Sequence, residues 1–355
     1  MKLPFQNAKV VGDNIDYETY AKQPVDLEAT ALALPDETKP VTQDPLDVKL
    51  VKRGDPRYVM SRGELMEFVK CPMKWLASPE KEITPSLKYG SYLDMLVLTP
   101  DKVDQIYEQY PETYVSERGE EKPWNNNANF CKDWAAKRSD KILIKKGDAD
   151  EAGAAVERLF ADDRIREFIN CSKVQVMVTA EYVDAATGLI VPIRVLTDLV
   201  PDPLHKLYGK SLGDFKTSED GHPNKWPKTV GAYAYHVQAA LNLDLHTAAT
   251  PEIERQEFRH LIQESSAPYQ TGRRILSHEF IEVGRAKYMA ALKFYCQCLK
   301  HKFWPDYETG KMVMNGWTIT EPSQWDINAS LDDERMIDFP ITQQEAKTQN
   351  PDVMP

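Results

Sequence analysis

Apolar positions change their spacing twice along this chain. Residues 1 to 57 show no sustained period and are rich in proline and acid, as in YAKQPVDLEATALALPDETKP, which predicts a poorly ordered arm. From Tyr58 the spacing is helical. In MSRGELMEFVKCPMKWL, Leu65, Phe68, Val69 and Met73 make one stripe, interrupted by Pro72. Ser61, with Glu64 three residues on, has the form of a capping box. SLKYGSYLDMLVLTPDKV predicts a second helix, packed through Gly90 and Ser91 and ending near Thr99 and Pro100. DADEAGAAVERLFADDRIREFIN predicts a third, broken near Asp162.

The period then falls to two. VQVMVTAEYV and LIVPIRVLTDLVPD, rich in Val and Ile, flank a turn from Ala185 to Gly188 and read as a strand pair. KSLGDFKTSE reads as a third strand. TVGAYAYHVQAALNLDLH is apolar on a helical face, EFRHLIQESSAP is a further strand, and SHEFIEVGRAKYMAALKFYCQCLKHKFW is a long amphipathic helix. This order predicts an α/β (α+β) architecture with a central mixed β-sheet flanked by helices. The predicted folded domain spans 58–325, with an acidic tail over 326–355. No internal repeat is visible.

Composition changes this picture little. With 42% apolar and 28% charged residues the chain reads as soluble and globular. No apolar run is long enough for a membrane span. The N-terminal MKLPFQNAKVVGDN has no long apolar core of a secretory signal, and five scattered cysteines fit a reducing, cytoplasmic interior. The net charge of -11 leaves a nucleic-acid partner open, because of where the charge lies. Residues 326–355 carry seven acids against two bases, whereas bases cluster at Lys132, Lys137, Arg138 and Lys141, and at Lys225 and Lys228.

Candidate chemistry begins at LGDFKTSED. Period-2 geometry puts Asp214 and Lys216 on one face of a strand and turns Phe215 into the core. A surface ion pair at a strand end is one reading; half of a metal-dependent phosphodiesterase site is the other. Glu181 on the first strand and Asp198 on the second favour the latter. Carboxylates gathered at a sheet edge repel one another unless a cation sits among them, and hard oxygen donors suit Mg²⁺ or Mn²⁺. Asp202 competes with Asp198, but Asp198 closes the apolar strand while Asp202 lies between two prolines.

The ordered blocks AEYVD, VPIRVLTDLVPD and SLGDFKTSEDGHPNKWPKTVGAYAYHVQAALNLD resemble the core of the PD-(D/E)XK nucleases. With MSRGELMEFVKCPMKWL, YGSYLDMLVLTPDKV, HLIQESSAPY and GWTITEPSQW, they more narrowly resemble the RecE-type (exodeoxyribonuclease VIII-like) exonucleases of phages and prophages. The resemblance implies a Mg²⁺-dependent exonuclease acting on linear double-stranded DNA ends, 5′→3′, leaving 3′ single strands for recombination. It implies a homo-oligomeric ring and a single-strand annealing partner. Asp198, Asp214 and the backbone carbonyl of Phe215 would hold the metal, with Glu181 as a direct or outer ligand and Lys216 positioning or deprotonating the attacking water. Gln238 would brace the site, and Tyr235 and His236 precede it as in relatives. Two positions depart from the pattern: Asp94 stands where relatives carry a metal-binding His, and Asn242 where they carry Tyr. An endonuclease or single-strand nuclease with the same core, or a DNA- or partner-binding protein with a decayed site, are the alternatives.

Other motifs add nothing catalytic. Cys296 and Cys298, with Cys71, Cys131 and Cys171, lack the spacing of an iron–sulfur cluster, and no phosphate-binding loop for ATP occurs. Among the tryptophans Trp226, in the polar segment after the strand, is the candidate for stacking on DNA, with Lys225 and Lys228 as phosphate contacts.

Overall fold

The Val- and Ile-rich hairpin is the centre of the fold. In the computed structural model, which describes residues 3–14, 51–78 and 85–309 with short pieces at 313–314, 317–318 and 321, its strands are β6 (Ser172–Val183) and β7 (Ile190–Pro201). They pair antiparallel around the predicted turn, with Glu181 opposite Pro192 and Val176 opposite Thr197. With β1 (Phe5–Gly12), β8 (Ser211–Ser218), β9 (Glu257–Glu264) and β10 (Thr271–Ile275) they make a six-stranded sheet in the order β1-β6-β7-β8-β9-β10. Every pairing is antiparallel except β8 with β9. That parallel pair requires a crossover, and two helices supply it. The sheet is mixed, as the patterning predicts; outside it β2 (Tyr107–Gln109) pairs with β5 (Ile142–Ile144) and β3 (Thr113–Val115) with β4 (Glu121–Pro123).

Among the described residues ten α-helices surround it: α1 (Arg62–Lys70), α2 (Pro72–Ala77), α3 (Pro85–Leu98), α4 (Val103–Ile106), α5 (Asn129–Ala136), α6 (Lys146–Phe160), α7 (Asp163–Asn170), α8 (Trp226–Ala232), α9 (Tyr235–Ala249) and α10 (His278–His301). Two buried clusters follow. Leu65 and Phe68 of α1, Ala239 to Leu241 of α9 and Tyr288, Leu292 and Tyr295 of α10 pack with Val178, Ile193, Leu212 and Ile262. Leu93 of α3, Leu159 of α6 and Ile165 and Phe168 of α7 pack with Leu199, Phe215 and Leu261. Leu212 and Phe215 thus enter opposite clusters, as their odd separation along a strand demands. α9 is buried from His236 to His246 except at half-buried Gln238, and among its apolar residues it carries the buried polar Asn242, Asp244 and His246. Its close approach to α10 needs Gly284, where a Cβ would lie 2.0 Å from the His236 carbonyl oxygen.

Helix ends follow local chemistry. Ser61 caps α1 by accepting from the Glu64 amide, but Glu64 does not reach back. Its carboxylate takes Arg53 and, at 2.6 Å, the Trp75 indole. Asp162 accepts from the amides of Arg164 and Ile165 and so separates α6 from α7 at the expected break.

Four features depart from the expectations. Phe5–Gly12, inside the aperiodic arm, is an edge strand on β6, anchored by Phe5 against Tyr182 and Tyr288. Gly90 does not mediate packing, since a Cβ there would meet nothing within 4 Å. The single helix expected after β8 is two, α8 and α9, broken at Ala234. Thr271–Ile275, a segment without alternation, is a strand because β9 offers it a partner. Residues 15–50 and 322–355, most of the arm and all of the acidic tail, lie outside the described residues. The chain divides into units Met1–Trp304 and Pro305–Pro355; the second holds a short antiparallel pair, Val313–Met314 with Trp317–Thr318.

Candidate active site

The site forms where β7 and β8 part. Their ladder consists of one pair, Leu199 with Gly213. Gly213 is required there: a Cβ would lie 2.3 Å from the Phe168 ring and 3.1 Å from Leu199. Beyond that pair the Asp198 carboxylate replaces the missing strand contact, its Oδ2 accepting the Phe215 amide at 3.0 Å. In an extended strand the N–H and C=O of one residue point to the same side, so the Phe215 carbonyl faces the same opening.

On β8, Asp214 is buried and Lys216 partly buried, and their charged groups are in direct contact. Gln238, in the first turn of α9, donates from Nε2 to Asp214 Oδ1 at 2.6 Å. Arg62, opening α1, donates from Nη2 to Gln238 Oε1 at 2.9 Å. Tyr235 receives the Lys216 ammonium over its ring, 4.7 Å from the centroid. Asp94 arrives from α3, which packs across β8, and its carboxyl lies within the fields of Lys216 and Asp214.

Burial governs the charge states. Desolvation pushes the Asp94 carboxyl up to about 7; the charge of Asp214 adds to this and Lys216 opposes it. Asp198 is raised well above its ordinary range, first by desolvation and then by the charges of Asp214 and Asp94. For Asp214 burial also opposes ionisation, but Lys216 outweighs it, with help from His260 and Asp198, and the carboxyl sits below its usual range. Lys216, despite burial, is held as a cation by Asp214 and Asp198. Fully ionised, three carboxylates and one ammonium would leave two negative charges unbalanced in a desolvated pocket. The upward shifts of Asp94 and Asp198 ease that surplus by favouring their neutral forms.

The residues gathered here are Asp94, Asp198, Asp214, Phe215, Lys216, Tyr235 and Gln238. Glu181 is not among them. It pairs with Pro192, six residues from Asp198 along β7, or roughly 20 Å at strand rise. Its carboxylate instead accepts from Gln6 at 2.9 Å and Asn7 at 2.8 Å on β1. Trp226 is also corrected: it is 2% exposed, and its Nε1 donates to His260 Nδ1 at 3.2 Å, so no base can reach it. His236 is buried with its Nδ1 3.1 Å from the Val230 carbonyl, away from the gathered residues. Lys225 and Lys228 are exposed, and Lys225 pairs with Asp220 at 2.5 Å. Asp202 is exposed and caps the turn at Leu204. Asn242 lies one turn beyond Gln238, buried, with no partner for its Nδ2.

Two residues escaped the sequence reading. Arg62 was visible only as a helix-opening residue. His260 sits opposite Asp214 in the β8–β9 ladder, buried, with burial lowering its pKa to about 4.

A family model described as a PDDEXK-like domain of unknown function (DUF3799) matches residues 61–314. The chain belongs to this family. The match contains every residue gathered at the site. Membership places the PDDEXK-like domain in the PD-(D/E)XK nuclease superfamily and supports a nuclease. A crystal structure of a candidate exonuclease from Eubacterium rectale aligns at 15% identity with a TM-score of 0.47, covering 76% of this chain and 93% of that one. No curated protein matches.

Among the described residues no three His, Cys, Asp or Glu side chains stand ready as a closed metal cluster, and Asp214 is drawn onto Lys216 instead. The chemistry nevertheless fits a hard divalent cation. Asp214 Oδ2 is buried against the Lys216 ammonium, the Phe215 carbonyl faces the opening, and the raised carboxyls of Asp94 and Asp198 would ionise more readily beside a cation. Among the described residues no helix is long and apolar enough to cross a membrane.

Proposed function

We propose that the PDDEXK-like domain is a divalent-metal-dependent deoxyribonuclease that hydrolyses linear double-stranded DNA from its ends. The observation that carries this reading is the meeting of Asp94, Asp198, Asp214 and Lys216 where β7 and β8 separate, with a charge surplus that one divalent cation would neutralise. Asp198, Asp214 and the Phe215 carbonyl would hold the ion, Mg²⁺ or Mn²⁺, with Asp94 beside them. When bound, it would lower the pKa of a water and shield the phosphate.

The chain's own groups have separate tasks. Lys216 is held as an ammonium, so it places charge against a phosphate oxygen and orients the attacking water rather than removing its proton. Gln238 fixes the Asp214 carboxylate, and Arg62 fixes Gln238. The ring of Tyr235 keeps the ammonium aimed while desolvation strengthens its field. Exposed Lys228, with Lys225, supplies phosphate contacts outside the site. Digestion in the 5′→3′ direction, a ring-shaped homo-oligomer and an annealing partner on the released 3′ strand complete this reading.

The test is incubation with end-labelled linear duplex and with covalently closed circular duplex, with and without Mg²⁺. An exonuclease degrades only the linear form, and a 5′ label leaves before a 3′ label. Cutting of the circle would make it an endonuclease. Retention of both substrates without cleavage would make it a binding protein.

A further inference from the structure

Residues two apart on a continuous α-helix point about 200° away from one another and do not stack. Tyr233 and Tyr235 do stack, with ring centroids 5.6 Å apart and planes 20° apart. The cause is Ala234, which adopts φ 55° and ψ 35°, a left-handed conformation unfavourable for alanine, and so ends α8 and starts α9. Arg62 secures this break from outside. Its Nη1 lies 3.4 Å from the Tyr233 carbonyl oxygen, while its Nη2 holds Gln238. One guanidinium therefore ties the kink to the group that fixes Asp214.

The result is a short column of rings leading out of the site. Lys216 rests on Tyr235, Tyr235 stacks on Tyr233, and Tyr233 is 63% exposed. Tyr235 is also braced from within by Trp226 and His260, at centroid distances of 6.0 and 5.6 Å. The outer tyrosine thus stands on a rigid base, beside the cation that would face the phosphate, with a large apolar ring left to solvent.

Resting on the nuclease reading above, we propose that Tyr233 is a stacking platform for a nucleobase of the strand that enters the site, next to the cleaved phosphodiester. A flat π-surface held beside a phosphate-facing ammonium suits a nucleotide. Stacking accepts any base, because every base has a π-face. A base must be unpaired to offer that face, so the platform takes the frayed terminal nucleotide or the single strand behind it. The role expected of Trp226 passes to a tyrosine seven residues on, because the tryptophan points into the core and the tyrosine does not.

The test uses linear duplex carrying 2-aminopurine at the first, second or third nucleotide of the cleaved strand, with Ca²⁺ to slow turnover, alongside steady-state cleavage in Mg²⁺. The wild-type protein should quench the probe at one of these positions. Tyr233→Ala and Tyr233→Leu should lose the quenching and raise KM by about 5- to 150-fold. Tyr233→Trp should retain both, which separates stacking from bulk or fold. Wild-type quenching and KM in Tyr233→Ala, in a preparation that cleaves DNA, would overturn the platform alone. A wild-type protein that cleaves no DNA would instead overturn the nuclease reading.

Discussion

Gln238 donates its side-chain amide to Asp214 at 2.6 Å, joining the first turn of α9 to the acidic residue of β8. This bond decides which way the Asp214 carboxylate faces. It leaves Oδ2 against the Lys216 ammonium. Removing a hydrogen bond to a charged group costs about 1.5–3 kcal/mol. Gln238→Ala should therefore lower kcat by roughly 10- to 100-fold in a folded protein. Gln238→Glu, which sets a like charge against Asp214, should be worse. Steady-state cleavage of linear duplex measures both, and an alanine variant at wild-type rate would remove Gln238 from the site.

The raised carboxyls make stability depend on pH in a stated direction. In the cation-free protein Asp94 keeps its proton up to about pH 7, while an unfolded Asp releases it near 4. The folded state then binds more protons across that window, so this group's contribution falls as pH rises from about 4 to 7. Asp198 acts in the same direction. Asp214, held below its usual range, opposes them only at more acid pH. Thermal unfolding in chelator should show Tm declining over this window and a shallower decline in Asp94→Asn. Mg²⁺ should raise Tm more at pH 8 than at pH 5, because the ligands must first lose protons. Equal slopes in the two proteins would contradict the charge assignment.

Gly213 joins stability to the site. Adding a methyl group there drives it into Phe168 and Leu199 at the last paired position before the strands part. Gly213→Ala should destabilise by about 1–3 kcal/mol, seen as a lower midpoint in urea with an unchanged slope. An unaltered midpoint would mean that α7 gives way easily.

Glu181→Gln offers a contrast with the ligands. Its partners are Gln6 and Asn7, so the change should leave the cleavage rate within about twofold of wild type, whereas Asp198→Asn should lower it by at least 100-fold, the scale of a lost transition-state contact. Loss of activity in the Glu181 variant at unchanged Tm would return Glu181 to the site.

Much of this is legible in the sequence. Asp214 and Lys216 share a face because strands alternate, Ser61 and Asp162 cap helices because their side chains accept from free amides, and the Val/Ile runs flank their turn. The error over Glu181 was also legible. A turn at Ala185–Gly188 pairs residue 181 with 192 and leaves Asp198 at the far end of the hairpin. Composition of the strand was read there without its register. Other features depend on tertiary context that no local pattern carries. β1 exists because β6 offers an edge, the left-handed break at Ala234 is tied by Arg62 on the Tyr233 carbonyl, and Trp226 turns inward toward His260. Asp94 reaches the site through helix packing across β8, which spacing along its own helix does not reveal.

The most direct measurement is the rate of nucleotide release from end-labelled linear duplex in Mg²⁺ by the wild-type protein, Asp214→Ala and Lys216→Ala, each checked for folding by thermal unfolding. Mg²⁺-dependent release by the wild type is expected, with a loss of at least about 1,000-fold in both variants, within the range for removing charge stabilisation or acid–base assistance. Release at wild-type rate by either folded variant would contradict it.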